Sequence, residues 1–215
     1  MTPLATRFWF LVLLISLVLP VVGAGPARGD IIAQYAFNPK ADNCDRVGPG
    51  YEATATDPNV VATDVSISDS IPDSAECYIE VTDPPYDTRV LRLEPGPDSS
   101  SADQAVKNDR YFQFTVTADP GCSLSLDSLT FECARGGAAT PRGWVVRSSL
   151  DNFASNIDTQ LVETQRPELT FFWIWIADLP VPEVTFRIYT FVPFGGQSLD
   201  YRNVTLNGSV VAGPR

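Results

Sequence analysis

The segment PEVTFRIYTF (residues 182–191) is followed by the pair Gly195-Gly196 and then by LDYRNVTLNG (residues 199–208). In both segments apolar residues alternate with polar ones, which is the pattern of a β-strand with one face on a core. The glycine pair interrupts the alternation, so we expect the two strands to form a closing β-hairpin. Because an isolated hairpin is only marginally stable in water, the rest of the chain must supply the sheets that it completes.

Short segments rich in Val, Ile, Thr, Phe and Tyr recur along the chain, separated by proline, glycine and other turn residues. Such spacing predicts one all-β domain, an antiparallel jelly-roll β-sandwich. The predicted strands are residues 31–37, 60–67, 77–81, 88–93, 111–117, 123–133, 144–148, 160–163, 169–176, 184–192 and 199–210. We expect long loops at 38–58 and 94–108, and we place the domain at 31–211, after a linker at 25–30 and before a tail at 212–215.

The first 24 residues predict a cleaved signal peptide. A single arginine, Arg7, precedes an apolar run from Phe8 to Val22, and small residues lead to a cleavage site that we place after Ala24. The alternative is a membrane anchor, but the run is short for a bilayer and Pro20 interrupts it. No later stretch of the sequence is apolar over enough residues to span a membrane. We therefore expect a secreted protein.

Charge and composition exclude several functions. Fifteen Lys and Arg residues face 26 Asp and Glu residues, a formal net charge of −11 that repels phosphate backbones, so we expect no nucleic-acid partner. The sequence contains no histidine, which excludes Ser-His-Asp and Cys-His nucleophiles and histidine metal sites. A glycosidase that uses two carboxylates stays open, with Glu132, Glu163, Glu168 and Glu183 as candidates. Each of these acids lies at a predicted strand end or turn, so we expect no enzyme.

The four cysteines, Cys44, Cys77, Cys122 and Cys133, suggest disulfides in an exported protein. If residues 123–133 form one strand, Cys122 and Cys133 lie about 36 Å apart, which is too far for a bridge unless the segment folds back. Two bridges would then each join this strand to one of the early cysteines. The alternative is a single Cys44–Cys77 bridge with two buried thiols.

The first candidate for binding is the stretch FFWIWI (residues 171–176), in which Phe171, Trp173 and Trp175 share one face. A row of aromatic rings on an open sheet face would stack on sugar rings. The other face of this stretch is apolar as well. The sequence therefore favours a central strand covered on both sides, because three exposed aromatic side chains would form an unusually large apolar patch.

The second candidate is a cation site made of oxygen ligands. Asn38, Asp42, Asn43 and Asp45 lie in the first long loop, and Asp200 and Asn203 lie on the last strand. β-sandwiches often pair their first and last strands, which would bring these side chains together as ligands for Ca²⁺. The alternative is that Asn and Asp in these loops form turns, since the spacing matches no EF-hand.

Five segments together resemble a group of exported bacterial β-sandwich proteins found among planctomycetes, cyanobacteria and the PEP-CTERM-sorted proteins. The segments are YFQFTV (111–116), LSLDSLTF (124–131), RGWVVRSSLDNF (142–153), VTFRIY (184–189) and NVTLNG (203–208). The resemblance implies a jelly-roll sandwich of the kind shared by lectins, galactose-binding-like domains and carbohydrate-binding modules, and it implies no activity. The chain ends at Arg215 without a PEP-CTERM tail, so we expect free secretion or association through the sandwich itself.

These patterns together predict a non-catalytic extracellular module that contacts polysaccharide or a cell-envelope component. The alternatives are a purely structural surface or matrix protein that acts through protein–protein contact, and the carboxylate glycosidase. Within RGWVVRSSLDNF, we expect Asp151 to cap a turn by accepting backbone N–H bonds. A ligand role for Arg147 and Asp151 is the alternative for that turn.

Overall fold

The computed structural model describes residues 29–37, 51–71, 77–81, 89–177 and 180–212. The predicted signal peptide with its cleavage site, most of the linker and most of the tail lie outside these ranges. The predicted loop 38–58 is described only from Tyr51 onward. Within the described ranges no helix combines the length and the apolar composition needed to cross a bilayer.

Thirteen strands, one short helix and one 3₁₀ turn make up the described chain. The strands are β1 (Asp30–Tyr35), β2 (Ala55–Thr56), β3 (Val60–Ala62), β4 (Ser66–Ile67), β5 (Cys77–Val81), β6 (Arg89–Leu93), β7 (Tyr111–Ala118), β8 (Cys122–Arg135), β9 (Gly143–Ser148), β10 (Asp158–Leu161), β11 (Thr170–Trp175), β12 (Glu183–Phe191) and β13 (Leu199–Ala212). The helix α1 is Ala102–Lys107, and the 3₁₀ turn is Ser149–Asp151.

The strands form two sheets. Sheet A has the order β11-β8-β13-β1-β2, with β6 also paired to β13 and β5 paired to β6, and sheet B has the order β10-β9-β12-β7-β3, with β4 also paired to β7. Every pairing between these strands is antiparallel. The predicted antiparallel jelly-roll β-sandwich is confirmed.

The alternation in the sequence places one face of each long strand in the core between the sheets. In sheet B, Phe114 of β7 stands opposite Phe186 of β12, and both side chains are buried. From sheet A, Phe131 of β8 meets the Trp144 ring of β9 edge-on, with ring centroids 5.0 Å apart. Because full burial of such a side chain contributes about 1.5–3 kcal/mol, these inward rows drive the two sheets together.

The predicted hairpin of the last two strands is wrong. β12 lies in sheet B between β9 and β7, whereas β13 lies in sheet A between β8 and β1. Residues 192–198 therefore cross from one sheet to the other. Each strand turns its apolar face toward the same core from opposite sides, so both show alternation without pairing to each other. The expected pairing of the first and last strands is confirmed, from Asp30 opposite Gly208 to Tyr35 opposite Val204.

The predicted loop 94–108 contains the helix α1. Ser101 caps the helix by accepting a hydrogen bond from the Gln104 amide at 3.3 Å, and the Gln104 side chain in turn accepts one from the Ser100 amide at 2.9 Å. This reciprocal arrangement is close to a capping box, a signal that the sequence carries as Ser-x-x-Gln. Ala105 of the helix packs against Tyr189, so α1 covers part of the outer face of sheet B.

Cys122 and Cys133 lie at opposite ends of the single strand β8, and both are free thiols. The expectation that these two cysteines cannot bridge each other is confirmed, and the option of two bridges to this strand is wrong. Burial raises the pKa of the Cys133 thiol, and the charge of Asp200 raises it further. A Cys44–Cys77 bridge falls on side chains outside the described ones and stays a prediction.

Candidate functional site

The strand β11 forms a border of sheet A, and its outer face is open to solvent. It pairs with β8, and no other described strand lies on its far side. Phe171, Trp173 and Trp175, called here the aromatic row, are 48%, 40% and 69% exposed. The inward side chain of Ile174 is buried. The prediction of a strand covered on both faces is therefore wrong, and the aromatic face is the uncovered one.

Polar side chains continue the outer face of sheet A beyond the aromatic row. The cross-strand register defines two rows, Trp173–Thr130–Thr205–Gln34 and Trp175–Ser128–Asn207–Ile31. Each row runs from β11 through β8 and β13 to β1, which spans about 14 Å at the usual spacing between strands. Ser128, Thr130, Thr205 and Asn207 in these rows are each less than a tenth exposed. Hydroxyl and carboxamide groups thus form a nearly buried strip beside the exposed aromatic rings.

A groove of about 320 Å³ crosses this surface between β11 and β1. The residues that line it come from four strands and the residue before β1: Gly29, Ile31, Gln34, Thr130, Glu132, Phe171, Asn203, Thr205 and Asn207. Phe171 belongs to the groove and to the aromatic row, so the two features form a single site.

Glu132 of β8 is held in the groove by two neighbours on β13. Arg202 Nε donates to Glu132 Oε2 at 2.5 Å, and Asn203 Nδ2 donates to the same oxygen at 2.9 Å. Two consecutive residues reach one carboxylate because β13 bulges between Arg202 and Thr205, which leaves Asn203 in the left-handed region with φ 51°. The bulge therefore shapes the groove.

The other predicted glycosidase acids do not line the groove. Glu163 and Glu168 are exposed in the segment between β10 and β11. Glu183 begins β12 in sheet B, where it accepts a hydrogen bond from Thr117 Oγ1 at 2.8 Å. Glu132 is thus the one acidic residue among the nine that line the groove.

Asp200, a predicted calcium ligand on β13, is fully buried and ion-paired. Its Oδ1 lies 3.1 Å from Arg92 Nε, and its Oδ2 lies 3.6 Å from Arg166 Nη1. Asn203, also a predicted ligand, lies in the groove and donates to Glu132. The predicted ligands Asn38, Asp42, Asn43 and Asp45 are outside the described residues, so the calcium site stays a prediction. The described chain contains no group of three or more His, Cys, Asp or Glu residues arranged to hold a metal ion.

The predicted cap at Asp151 is confirmed. Its carboxylate accepts hydrogen bonds from the amides of Ala154 at 3.1 Å and Ser155 at 2.9 Å. The Ser155 hydroxyl also donates to it, and these bonds lower the pKa of Asp151. Arg147 donates to the Phe153 carbonyl at 2.8 Å. These contacts fix the turn after β9 in sheet B, in the opposite sheet from the aromatic row.

Sequence reasoning did not identify the groove as a site. Gln34, Thr130 and Thr205 are the polar members of an alternating pattern, and that pattern by itself says only that they face away from the core. Two register shifts in β13, beside Arg202 and beside Asn207, also break the period-two count that would place these residues together. The cross-strand register was needed to join them.

No protein-family model matches the sequence, and no curated protein matches it. Among solved structures, a "putative sugar binding protein" from Bacteroides thetaiotaomicron VPI-5482 is 11% identical, with 84% of this chain and 100% of that chain covered and a TM-score of 0.50. The xylan-binding domain CBM22-1 of Paenibacillus barcinonensis Xyn10C is 9% identical, with 87% and 97% covered and a TM-score of 0.39. At such identities the first likeness shows the fold alone.

The α-L-arabinofuranosidase MgGH51 is 10% identical, with a TM-score of 0.44. The alignment covers 83% of this chain and 27% of that enzyme, so the chain spans about a quarter of its length. The sheet topology itself defines the class of the fold, an antiparallel jelly-roll β-sandwich.

Proposed function

We propose that this protein is an exported, non-catalytic module that binds polysaccharide through the outer face of sheet A. The observation that carries the proposal is the exposure of Phe171, Trp173 and Trp175 side by side on β11. Alternate residues of a strand stand about 6.6 Å apart, so the three rings form a continuous platform. Aromatic faces stack on the apolar faces of sugar rings, and the two indole N–H groups add hydrogen-bond donors.

The groove beside the platform supports binding without catalysis. Hydrolysis of a glycosidic bond usually needs two carboxyl groups on opposite sides of the bond. Glu132 is the one acid in the lining of the groove, and its Oε2 already accepts hydrogen bonds from Arg202 and Asn203. The "putative sugar binding protein" from Bacteroides thetaiotaomicron is in line with this proposal. The apolar run from Phe8 to Val22 supports the export part of it.

Affinity electrophoresis through gels that contain soluble polysaccharides tests the proposal. We expect at least one polysaccharide to retard the secreted protein and the double variant Trp173→Ala/Trp175→Ala to lose at least about tenfold in affinity, since removal of each central aromatic contact costs more than about 1 kcal/mol. The control is Phe194→Ala, which removes an aromatic ring that is 54% exposed and lies between β12 and β13, outside the groove.

Two results would contradict the proposal. One is the absence of retardation by every polysaccharide in the panel. The other is an equal loss of affinity in the control and in the double variant. Sedimentation of the same proteins tests the alternative of a structural protein that acts through protein–protein contact. Self-association that the tryptophan substitutions abolish, without any glycan binding, would assign the aromatic row to such contact.

A further inference from the structure

Three carboxamide side chains line the groove, and their hydrogen-bond partners fix which way each one points. Asn203 Nδ2 lies 2.9 Å from Glu132 Oε2. A carboxylate accepts hydrogen bonds and donates none, so the amide nitrogen must face it. The carbonyl oxygen of Asn203 consequently points away from Glu132.

The other two carboxamides are oriented in the same manner. Asn207 Nδ2 lies 3.5 Å from the backbone oxygens of Ser128 and Thr205, which only accept. Gln34 Nε2 lies 3.1 Å from Thr205 Oγ1. Because that hydroxyl gives its own proton to the backbone carbonyl oxygen of Asn203 at 3.0 Å, it acts as the acceptor toward Gln34. Both side chains therefore use their nitrogens to hold the protein together.

The three side-chain oxygens are left with open acceptor positions. Gln34 Oε1, Asn203 Oδ1 and Asn207 Oδ1 take no hydrogen bond from any residue in the described part of the chain. Each of these oxygens can accept two hydrogen bonds. The groove thus presents acceptors and needs a ligand that brings donors. The hydroxyl groups of a sugar are such donors.

Charge in the groove disfavours an anionic ligand. Glu132 is the single charged residue of the lining, and the nearby cation Arg202 is bound to it at 2.5 Å. A uronate or sulfate group would bring further acceptor oxygens and negative charge against Glu132 and the three amide oxygens. The net charge of −11 on the whole chain adds to that repulsion.

We infer that the groove binds an uncharged polysaccharide, whose hydroxyl groups donate to Gln34, Asn203 and Asn207. The inference rests on the proposed function and adds the class of ligand to it: a neutral glycan, free of uronate and sulfate. The aromatic row stacks on one part of the glycan, and the groove receives the hydroxyls of the adjoining part. Gln34 lies on β1, at the far side of the groove from Phe171, so it reports on the groove separately from the aromatic row.

Calorimetry with two sets of polysaccharides at low and high salt tests the inference. The neutral set is β-glucan, xylan, glucomannan and galactan, and the acidic set is polygalacturonate, alginate and chondroitin sulfate. We expect binding to a neutral polymer that salt does not weaken. Gln34→Ala should lose about threefold to tenfold in affinity, the usual net contribution of one hydrogen bond. The control Gln160→Ala changes the same residue type on β10 of sheet B and should leave affinity unchanged.

The outcomes separate this inference from the proposed function. Tighter binding to an acidic polymer, falling as salt rises, would overturn the inference and leave the proposed function standing. The same holds if Trp173→Ala/Trp175→Ala abolishes binding to a neutral polymer while Gln34→Ala binds as the unmodified protein does. Binding to no polymer of either set would overturn the proposed function and the inference with it.

Discussion

Replacing Asp200 by alanine removes a carboxylate that two arginines share beneath the outer surface of sheet A. The Asp200 side chain is wholly buried and that of Arg92 is 6% exposed, whereas that of Arg166 is 31% exposed. Arg92 makes two of the contacts, Nε to Oδ1 at 3.1 Å and Nη2 to Oδ2 at 3.5 Å. The variant therefore keeps the Arg92 guanidinium group inside the protein and takes away a carboxylate that it contacts.

The structure predicts how the cost divides among the three residues. Removing one partner of a buried ion pair costs about 3–5 kcal/mol, because the remaining charge stays out of water. For a protein of this size, that loss lowers Tm by about 6–20 °C. Arg166 is reached by solvent and its contact is longer, so we expect Arg166→Ala to cost about 1 kcal/mol or less. The double variant Asp200→Leu/Arg92→Leu should be more stable than Asp200→Ala, since it leaves neither charge buried.

Urea unfolding followed by tryptophan fluorescence measures these differences as shifts of the midpoint at constant slope. A loss below about 1 kcal/mol in Asp200→Ala, or an equal loss in Arg166→Ala, would refute the reasoning. Calcium gives an independent check. A midpoint that rises with added CaCl₂ in the unmodified protein, and does not rise in Asp200→Ala, would assign Asp200 to the predicted metal site instead.

Three further predictions concern the site, the packing and the pH dependence. Trp175→Ala should weaken glycan binding more than Trp173→Ala in calorimetry, because 69% of the first side chain and 40% of the second is open to a ligand; the reverse order would contradict this. Gly143→Ala should cost about 2–3 kcal/mol in urea unfolding, because its Cβ would lie 2.2 Å from the Gln160 backbone oxygen and 2.4 Å from the Phe191 ring, and an unchanged midpoint would contradict this. Burial raises the pKa of Tyr201, so above about pH 10 the unfolded chain loses a proton that the folded chain keeps, and stability falls as pH rises. In the same assay, the free energy of unfolding of Tyr201→Phe should fall less steeply between pH 9 and pH 11 than that of the unmodified protein. An unchanged pH dependence would exclude the Tyr201 phenol as the source of the fall.

The sandwich could be predicted because apolar and polar residues alternate within its strands. Alternation in β7 and β12 reports a buried face, and that face is what each sheet contributes to the core. The same signal does not say which sheet a strand joins. The segments of β12 and β13 therefore resembled a hairpin, although the chain crosses the core between them.

The aromatic row shows the same limit at the candidate site. Its three residues could be named from the stretch 171–176, since alternate residues of a strand share one face. Their exposure could not be predicted, because a strand that is apolar on both faces fits either a covered centre or an open border. The position of β11 at the border of sheet A depends on its pairing with β8, some forty residues earlier in the chain. The groove required still more distant pairings, such as Gln34 with Thr205.

The pairing of β1 with β13 has a consequence for how the protein folds. It joins Tyr35 to Val204, so the middle of sheet A closes only after nearly the whole chain has come together. Folds dominated by such distant pairings form in about milliseconds to seconds, far more slowly than helical bundles. A polypeptide that stays open for that time can still be threaded through a translocation pore, which suits the export that we propose.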